Sequence, residues 1–426
     1  MSQKPSLHTA LQAISKQLFD RVSHRITHDI DFSWMLHTPS RPIQDYFHLG
    51  QYGSSPLRYR INTITSRLSG KIWLLVVWPI MYRHILTVVR EKYLPDVFSN
   101  IPSSPDLSKK MAIFESHLAY QLSQFTGFAR FASFTELYEF LNNCFITFST
   151  YLGATSDIYA SHKREHTRFA LDIYQEIRTA VLSHKHPIAI CCYLAIRANW
   201  IDCAQETISP FMAGFREEIN EILDAQLPQE DLYQSSNPYY HLPQFERWLQ
   251  KPITVLYECD NMGEIVFDLL LCEHLLSLGH RIILTTKSTP VLNDVTYTDL
   301  ENLLQDLALA HLHIFLDSGQ LSYIETQSQV GGKYIYAVSD AYKEAYQKSH
   351  LLILKGQGHF YTMPMGYKKN RKFVPYSYKK PIVYMMGLKA PFIFNSFKYN
   401  ITTSPPPIGS MILYAFHPYN PNTHPC

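Results

Sequence analysis

The chain has 426 residues, 46% of them hydrophobic, and a formal net charge of +2. That length buries a large core and predicts two packed units, while the near-neutral charge excludes nucleic-acid binding driven by bulk electrostatics. Seven cysteines without paired spacing argue against a disulfide framework and read as reduced and buried, and the polar start Met1-Ser-Gln-Lys-Pro-Ser lacks a secretory pattern, so a cytoplasmic location is expected.

Leu7, Leu11, Ile14, Leu18, Val22 and Ile26 recur at helical spacing and predict an amphipathic first helix. Residues 37–58 are rich in Pro, Gly and Ser and predict a long loop. The apolar window Ile72–Tyr82 ends at Arg83, too short to span a bilayer, and reads as a buried helix kinked at Pro79, with an interfacial membrane role as the alternative. Helix continues to Val97, and Pro102–Pro105 is a turn. Ser133 and Glu136 form a capping box that opens a helix toward Leu152. Helical spacing resumes over 157–182, 187–205 and 210–223. Residues 1–226 therefore predict an all-helical domain, and 227–240 a crossing segment.

From Leu242 the pattern changes to strand and helix in alternation, which predicts an α/β domain over 242–398: a three-layer α/β/α sandwich around a mainly parallel sheet. Ile253–Glu258 is a β-branched apolar run that leads into Cys259-Asp260-Asn261-Met262-Gly263-Glu264 and a helix over 265–278. Arg281–Lys287 reads as a second strand, followed by Pro290-Val-Leu-Asn293-Asp294-Val-Thr296. His313–Leu316 reads as an apolar run that ends at Asp317-Ser318-Gly319, and His350–Lys355 as a strand followed by Gly356-Gln357-Gly358. A parallel sheet collects these polar ends on its carboxyl edge, where open α/β sheets bind ligands. Residues 399–426, with Pro405-Pro-Pro407, predict an irregular tail.

Asp and Asn side chains at such an edge are hard oxygen ligands that suit Mg²⁺ or Mn²⁺ better than zinc. Taken singly, each segment has a plain structural explanation: Asp260 as a helix cap, Asn293-Asp294 as a turn, Lys355-Gly356 as a strand end. The 20 histidines show no ligand spacing. No GxGxxG follows a predicted strand, and Val330-Gly-Gly-Lys333 lacks the spacing of a nucleotide loop.

In order and spelling, Asp260-Asn-Met-Gly-Glu264, Pro290-Val-Leu-Asn-Asp-Val-Thr296 and Lys355-Gly-Gln-Gly358 resemble the damage-control phosphatase family, also called domain of unknown function 89. The resemblance spans Phe134 to Lys398. Upstream, Arg197-Ala-Asn199-Trp-Ile-Asp202 is similar to the family's Gly-Asn-x-x-Asp segment, with Ala198 for glycine; His359 and Lys389-Ala390 depart from its usual Asn and Lys-Cys.

The resemblance implies a metal-dependent phosphatase of small phosphorylated metabolites, with Asp260, Asn261 and Asp294 holding a divalent ion (Mg²⁺, Mn²⁺, Ni²⁺ or Co²⁺). Lys355 with Gly356, Gln357 and Gly358 is expected to clamp phosphate, as a point charge beside unobstructed N–H donors. Lys287 is a second candidate cation, and Glu264 either reaches the metal or favours its helix N-terminus. Asp317 is a candidate for an acid behind the metal ligands or for the base that orients water, and Ser318 beside it is a candidate substrate contact. Asn199 and Asp202 read more as glue between domains than as catalysts, with Asn199 also a wall of the substrate pocket. A carboxyl methyltransferase and a non-enzymatic interaction protein are the alternatives.

Overall fold

The computed structural model describes residues 6–27, 33–37, 108–114, 116, 134–151, 157, 159–201, 208–224, 232–369, 372–389 and 406–417. The loop at 37–58, the kinked helix at 72–82, the Pro102–Pro105 turn and Asp202 fall wholly or almost wholly outside them. Contacts divide the chain into two units, Met1–Ile30 with Arg41–Ser161, and Asp31–Ser40 with His162–Cys426. In the first unit the helix Leu7–Thr27 packs on the helix Phe134–Tyr151. The flank of the latter carries Phe148, stacked 4.3 Å from Phe114.

The second unit is built on a six-stranded sheet of order β3-β2-β1-β4-β7-β8. Its strands are β1 (Thr254–Glu258), β2 (Arg281–Thr286), β3 (Leu321–Glu325), β4 (Leu351–Lys355), β7 (Ile382–Gly387) and β8 (Met411–Phe416). A separate hairpin pairs β5 (Gly366–Lys369) with β6 (Lys372–Pro375). All central pairings are parallel, and β8 alone runs antiparallel, on β7. The chain lays β2 and β3 on one side of β1 and then returns to lay β4 and β7 on the other. The order reverses between β1 and β4, and that reversal opens a crevice at their carboxyl ends.

β1, β4 and β7 read as continuous apolar runs because both of their faces are covered. The helix Glu264–Ser277 follows the same rule: twelve of its fourteen residues are buried, so it is a core helix rather than an amphipathic one. It packs on the helix Pro187–Arg197, where Pro187 supplies the first turn and Cys191, Cys192 and Leu194 are fully buried. The helical residues from His162 to Asp224 thus belong to the sheet's unit, and the contact boundary lies near residue 161, where the hydrophobic pattern placed it at 226.

Two expectations are corrected. The apolar run at His313 is a short helix, His313–Asp317, and the strand is Leu321–Glu325. β3 is an edge strand whose alternating, half-exposed residues carry a weaker signal than Ile314-Phe315-Leu316. Residues 411–416 are not irregular tail: Met411–Phe416 pairs along the whole of β7 and is buried throughout. Its outer edge is covered by Tyr239–His241, through Leu413 N–H to Tyr239 O at 3.0 Å and His241 N–H to Leu413 O at 2.6 Å. Prolines on both sides hide this run in the sequence. Leu413→Ala is expected to lower the unfolding free energy by about 2–5 kcal/mol, measured by urea denaturation; a loose tail would leave it unchanged.

Candidate active site at the carboxyl edge of the sheet

β1 hands the chain to Asp260 and Asn261, and the loop after β2 brings Asn293 and Asp294 alongside. The two turns zip together as backbone. Asn261 bridges Asp294 in antiparallel fashion, Met262 N–H donates to Asn293 O at 2.8 Å, and Val295 N–H donates to Asp260 O at 2.8 Å. Asp260, Asn261 and Asp294 are therefore gathered at one place and are all buried.

Gly356 opens the helix Gly356–Thr362, which follows β4, with φ of +71°. A Cβ there would lie 1.8 Å from Asp260 Oδ2, so the carboxylate occupies space that only glycine leaves open. This contact joins the first and third sequence motifs at the strand-order reversal.

Asn199 reaches the same carboxylate from the three-residue turn Ala198–Trp200, which ends the helix Pro187–Arg197. Its Nδ2 donates to Asp260 Oδ2 at 2.9 Å and to Glu264 Oε2 at 2.8 Å, and its Oδ1 accepts from Gly387 N–H at 3.1 Å. Asn261 Nδ2 donates to the same two carboxylates, at 3.0 and 3.1 Å. Carboxylates accept and cannot donate, so both amides are fixed with nitrogen toward the acids. The Oδ1 of Asn261 is thereby presented on the side away from them.

Asp260, Asp294 and Asn261 carry oxygen donors of the hard kind that fits Mg²⁺ or Mn²⁺. Among the described residues no group of three or more His, Cys, Asp or Glu comes together as a metal-holding cluster, so this set rests on two acids and an amide.

Lys355 does not face this edge. Its ammonium is fully buried between Asp268 Oδ1 at 2.6 Å, Glu264 Oε1 at 2.7 Å and the carbonyl of Ala195. As the last residue of β4 it lies on the face covered by the helix Glu264–Ser277, and it neutralises that helix's acids. Burial pulls its pKa down, but Asp268 and Glu264 outweigh burial and hold it above its ordinary value. Burial pushes Asp268 up to about 7 against the pull of Lys355. Asp317 and Ser318 are also elsewhere: they are exposed and precede β3, at the amino edge of the sheet. Lys287 is at the carboxyl edge and buried, with its Nζ donating to Gly332 O and 3.5 Å from Asp294 Oδ2. Gln357 and Gly358 are half-buried there, and Gln357 Oε1 accepts from the amide of Lys389, just past β7.

Residues 74–400 match the family model of the damage-control phosphatase ARMT1-like domain. The chain belongs to this family. It is 27% identical over 233 residues to the damage-control phosphatase PH1575 of Pyrococcus horikoshii, which covers 54% of this chain and 67% of the relative. It is 28% identical over 137 residues to an uncharacterized protein, MJ0202, of Methanocaldococcus jannaschii, covering 32% of this chain and 41% of that one. The crystal structure of a DUF89 family protein from P. horikoshii shares the fold, with a TM-score of 0.53 and 20% identity over 77% of this chain and 96% of that one.

Beside the damage-control phosphatase motifs lies a buried charged cluster that sequence reading missed. Glu258, the last residue of β1, accepts from Thr285 Oγ1 at 2.8 Å, and it is held by Tyr342 Oη and Lys333 Nζ. His359 lies 3.7 Å from it through Nδ1, while Nε2 is 3.0 Å from Cys259 O. A carbonyl only accepts, so the proton is on Nε2. Burial, then Lys287 and Lys333, push this imidazole well below its usual range and keep it neutral. An acid in an otherwise apolar strand end and a lysine after two glycines were the available signals.

Burial pushes Lys333 down to about 8 from 10.5, against the pull of Glu258. Between those values the unfolded chain holds a proton that the folded chain has released, so stability rises with pH across that window. The contribution is complete above 10.5 and is lost as pH falls through 8. Relative to Lys333→Met, the wild type should gain on the order of 3 kcal/mol from pH 8 to 10.5, checked by denaturant titrations at several pH values.

Proposed function

We propose that the chain is a divalent-metal-dependent phosphatase that hydrolyses small phosphorylated metabolites, either sugar phosphates or damaged phosphometabolites. One observation carries the reading: Asp260, Asn261 and Asp294 meet at the strand-order reversal, with Gly356 making the room. These three would hold the ion, with Mg²⁺, Mn²⁺, Ni²⁺ and Co²⁺ as the species to compare. When bound, such an ion neutralises developing charge on phosphoryl oxygens and lowers the pKa of a bound water.

The chain's own residues do the rest. Asn199 and Asn261 orient the Asp260 carboxylate, and Glu264 orients the two amides. Lys355 offsets the charge of Glu264 and Asp268, which leaves the phosphate to other cations. Lys287 beside Asp294 is a lysine at this edge suited to that role, as a point charge, and Lys389, whose backbone N–H meets Gln357, is a second candidate. Asn199 is mainly a positioning group for Asp260, and a wall of the pocket only through the turn that carries it.

Hydrolysis of p-nitrophenyl phosphate by the full chain, with each divalent ion in turn, tests the reading. Activity should require the ion and vanish in Asp260→Ala while the melting transition stays cooperative. Turnover that ignores added metal and chelator, or near-full activity in Asp260→Ala, overturns it. A screen of phosphorylated metabolites then fixes the substrate.

Gly356→Ala adds one methyl against Oδ2 at a positive φ. It should reduce turnover about 100-fold through displacement of Asp260, measured as kcat with saturating Mn²⁺. Unchanged kcat would show that the carboxylate does not act from this position.

A further inference from the structure

We propose that His359 and Glu258 are positioning residues for the ligand-bearing turn: they clamp the last peptides of β1 so that Asp260 and Asn261 hold one pose. The proposal rests on the metal-site reading above.

Cys259 is the residue between strand and site, and its peptide is fixed on both sides. Its N–H donates to Thr285 O at 3.3 Å, and its carbonyl accepts from His359 Nε2 at 3.0 Å. One residue earlier, Glu258 ties β1 to three other places. Thr285 Oγ1 comes from β2, Tyr342 from the helix Asp340–Lys348, and Lys333 from the loop after β3.

That loop is pressed onto the helix Gly356–Thr362, which follows β4. A Cβ on Gly332 would stand 2.3 Å from Gly358 O, and Lys333 N–H donates to Thr362 Oγ1 at 3.2 Å. Gly331-Gly332-Lys333 is thus a backbone fit that drives an ammonium into the interior. The ammonium also sits 4.9 Å from the centre of the Tyr342 ring.

A strand end needs none of this for stability. In register with Glu258, β4 carries Leu354, fully buried and apolar, and β2 carries Thr285. Glu258, Lys333 and His359 are just as buried, and buried ionic groups are often replaceable by apolar ones at no loss of stability. What an apolar set cannot do is fix the rotation of the Cys259 peptide, and so the direction of the two side chains that follow it. Groups that orient metal ligands in this way typically contribute 10–100-fold in affinity.

Amide hydrogen exchange of the metal-free full chain reads the clamp directly. In His359→Leu, the peptide spanning Tyr257–Gly263 should exchange about ten-fold faster, with β7 unchanged. His359→Gln places a donor near the original Nε2 and should restore slow exchange. Mn²⁺ binding, followed by electron paramagnetic resonance, should weaken about ten-fold in the Leu variant and recover in the Gln variant. Glu258→Gln leaves Lys333 without its acid, so the Glu258→Gln/Lys333→Met double variant is the second arm. It should fold, with the same local loss at Cys259.

Unchanged exchange around Cys259 in His359→Leu overturns the proposal. So does wild-type Mn²⁺ affinity in that variant, or a loss spread evenly over the sheet. If the exchange responds as expected but the wild type binds no Mn²⁺, the clamp stands and the metal reading is rejected instead.

Discussion

The carboxylate of Asp260 sits where a side chain at position 356 would have to be, and much of this half of the molecule is arranged around that intrusion. It places an acid within the crevice between β1 and β4 rather than above it. An acid so buried needs donors, and the fold supplies two amides, Asn199 and Asn261. The amides in turn lean on Glu264. Glu264 and Asp268 then require a counter-charge, which is why Lys355 points inward. A chain of polar groups thus runs from the site edge to the core through hydrogen bonds and ion pairs, and ends at Asp268, whose Oδ2 has no hydrogen-bond partner among the described residues.

The helical layer takes part in this network. Asn199 is delivered by the turn after the helix Pro187–Arg197, and its oxygen caps the amide of Gly387 at the end of β7. One side chain therefore joins a helix, β1 and β7. The Pro187–Arg197 helix can hold that position because it is packed on a second buried helix and on β7 and β8. Precision at the site is borrowed from apolar packing well behind it.

Much of this was legible in the sequence. β1, β2 and β4 are short apolar runs with polar ends, so their parallel pairing and the meeting of Asp260, Asp294 and Gly356 on one edge followed from alternation alone. What failed did so for local reasons. Lys355 reads as a strand-end cation, but whether a last residue faces solvent or a covering helix is a matter of tertiary packing. Asp317 follows an apolar run that turned out to be one helical turn, because three apolar residues carry no period. Met411–Phe416 was obscured by prolines, although its unbroken apolar composition is what a strand covered on both faces looks like. The Glu258 cluster left only faint signals because its members lie far apart in sequence, and the fit of Gly332 against Gly358 is what brings Lys333 to Glu258.

The antiparallel strand β8 has a consequence for how the chain acquires its shape. Among the described residues Met411–Phe416 comes last in chain order in the sheet, yet it seals β7, whose ladder is otherwise open along six residues. Until then a fully apolar strand presents bare amides and carbonyls to anything nearby. The crevice between β1 and β4 lies well inside that edge, so its own partners are all in place before the sheet is closed. A chain that has formed β7 but not yet laid β8 on it leaves that edge open to wrong pairing.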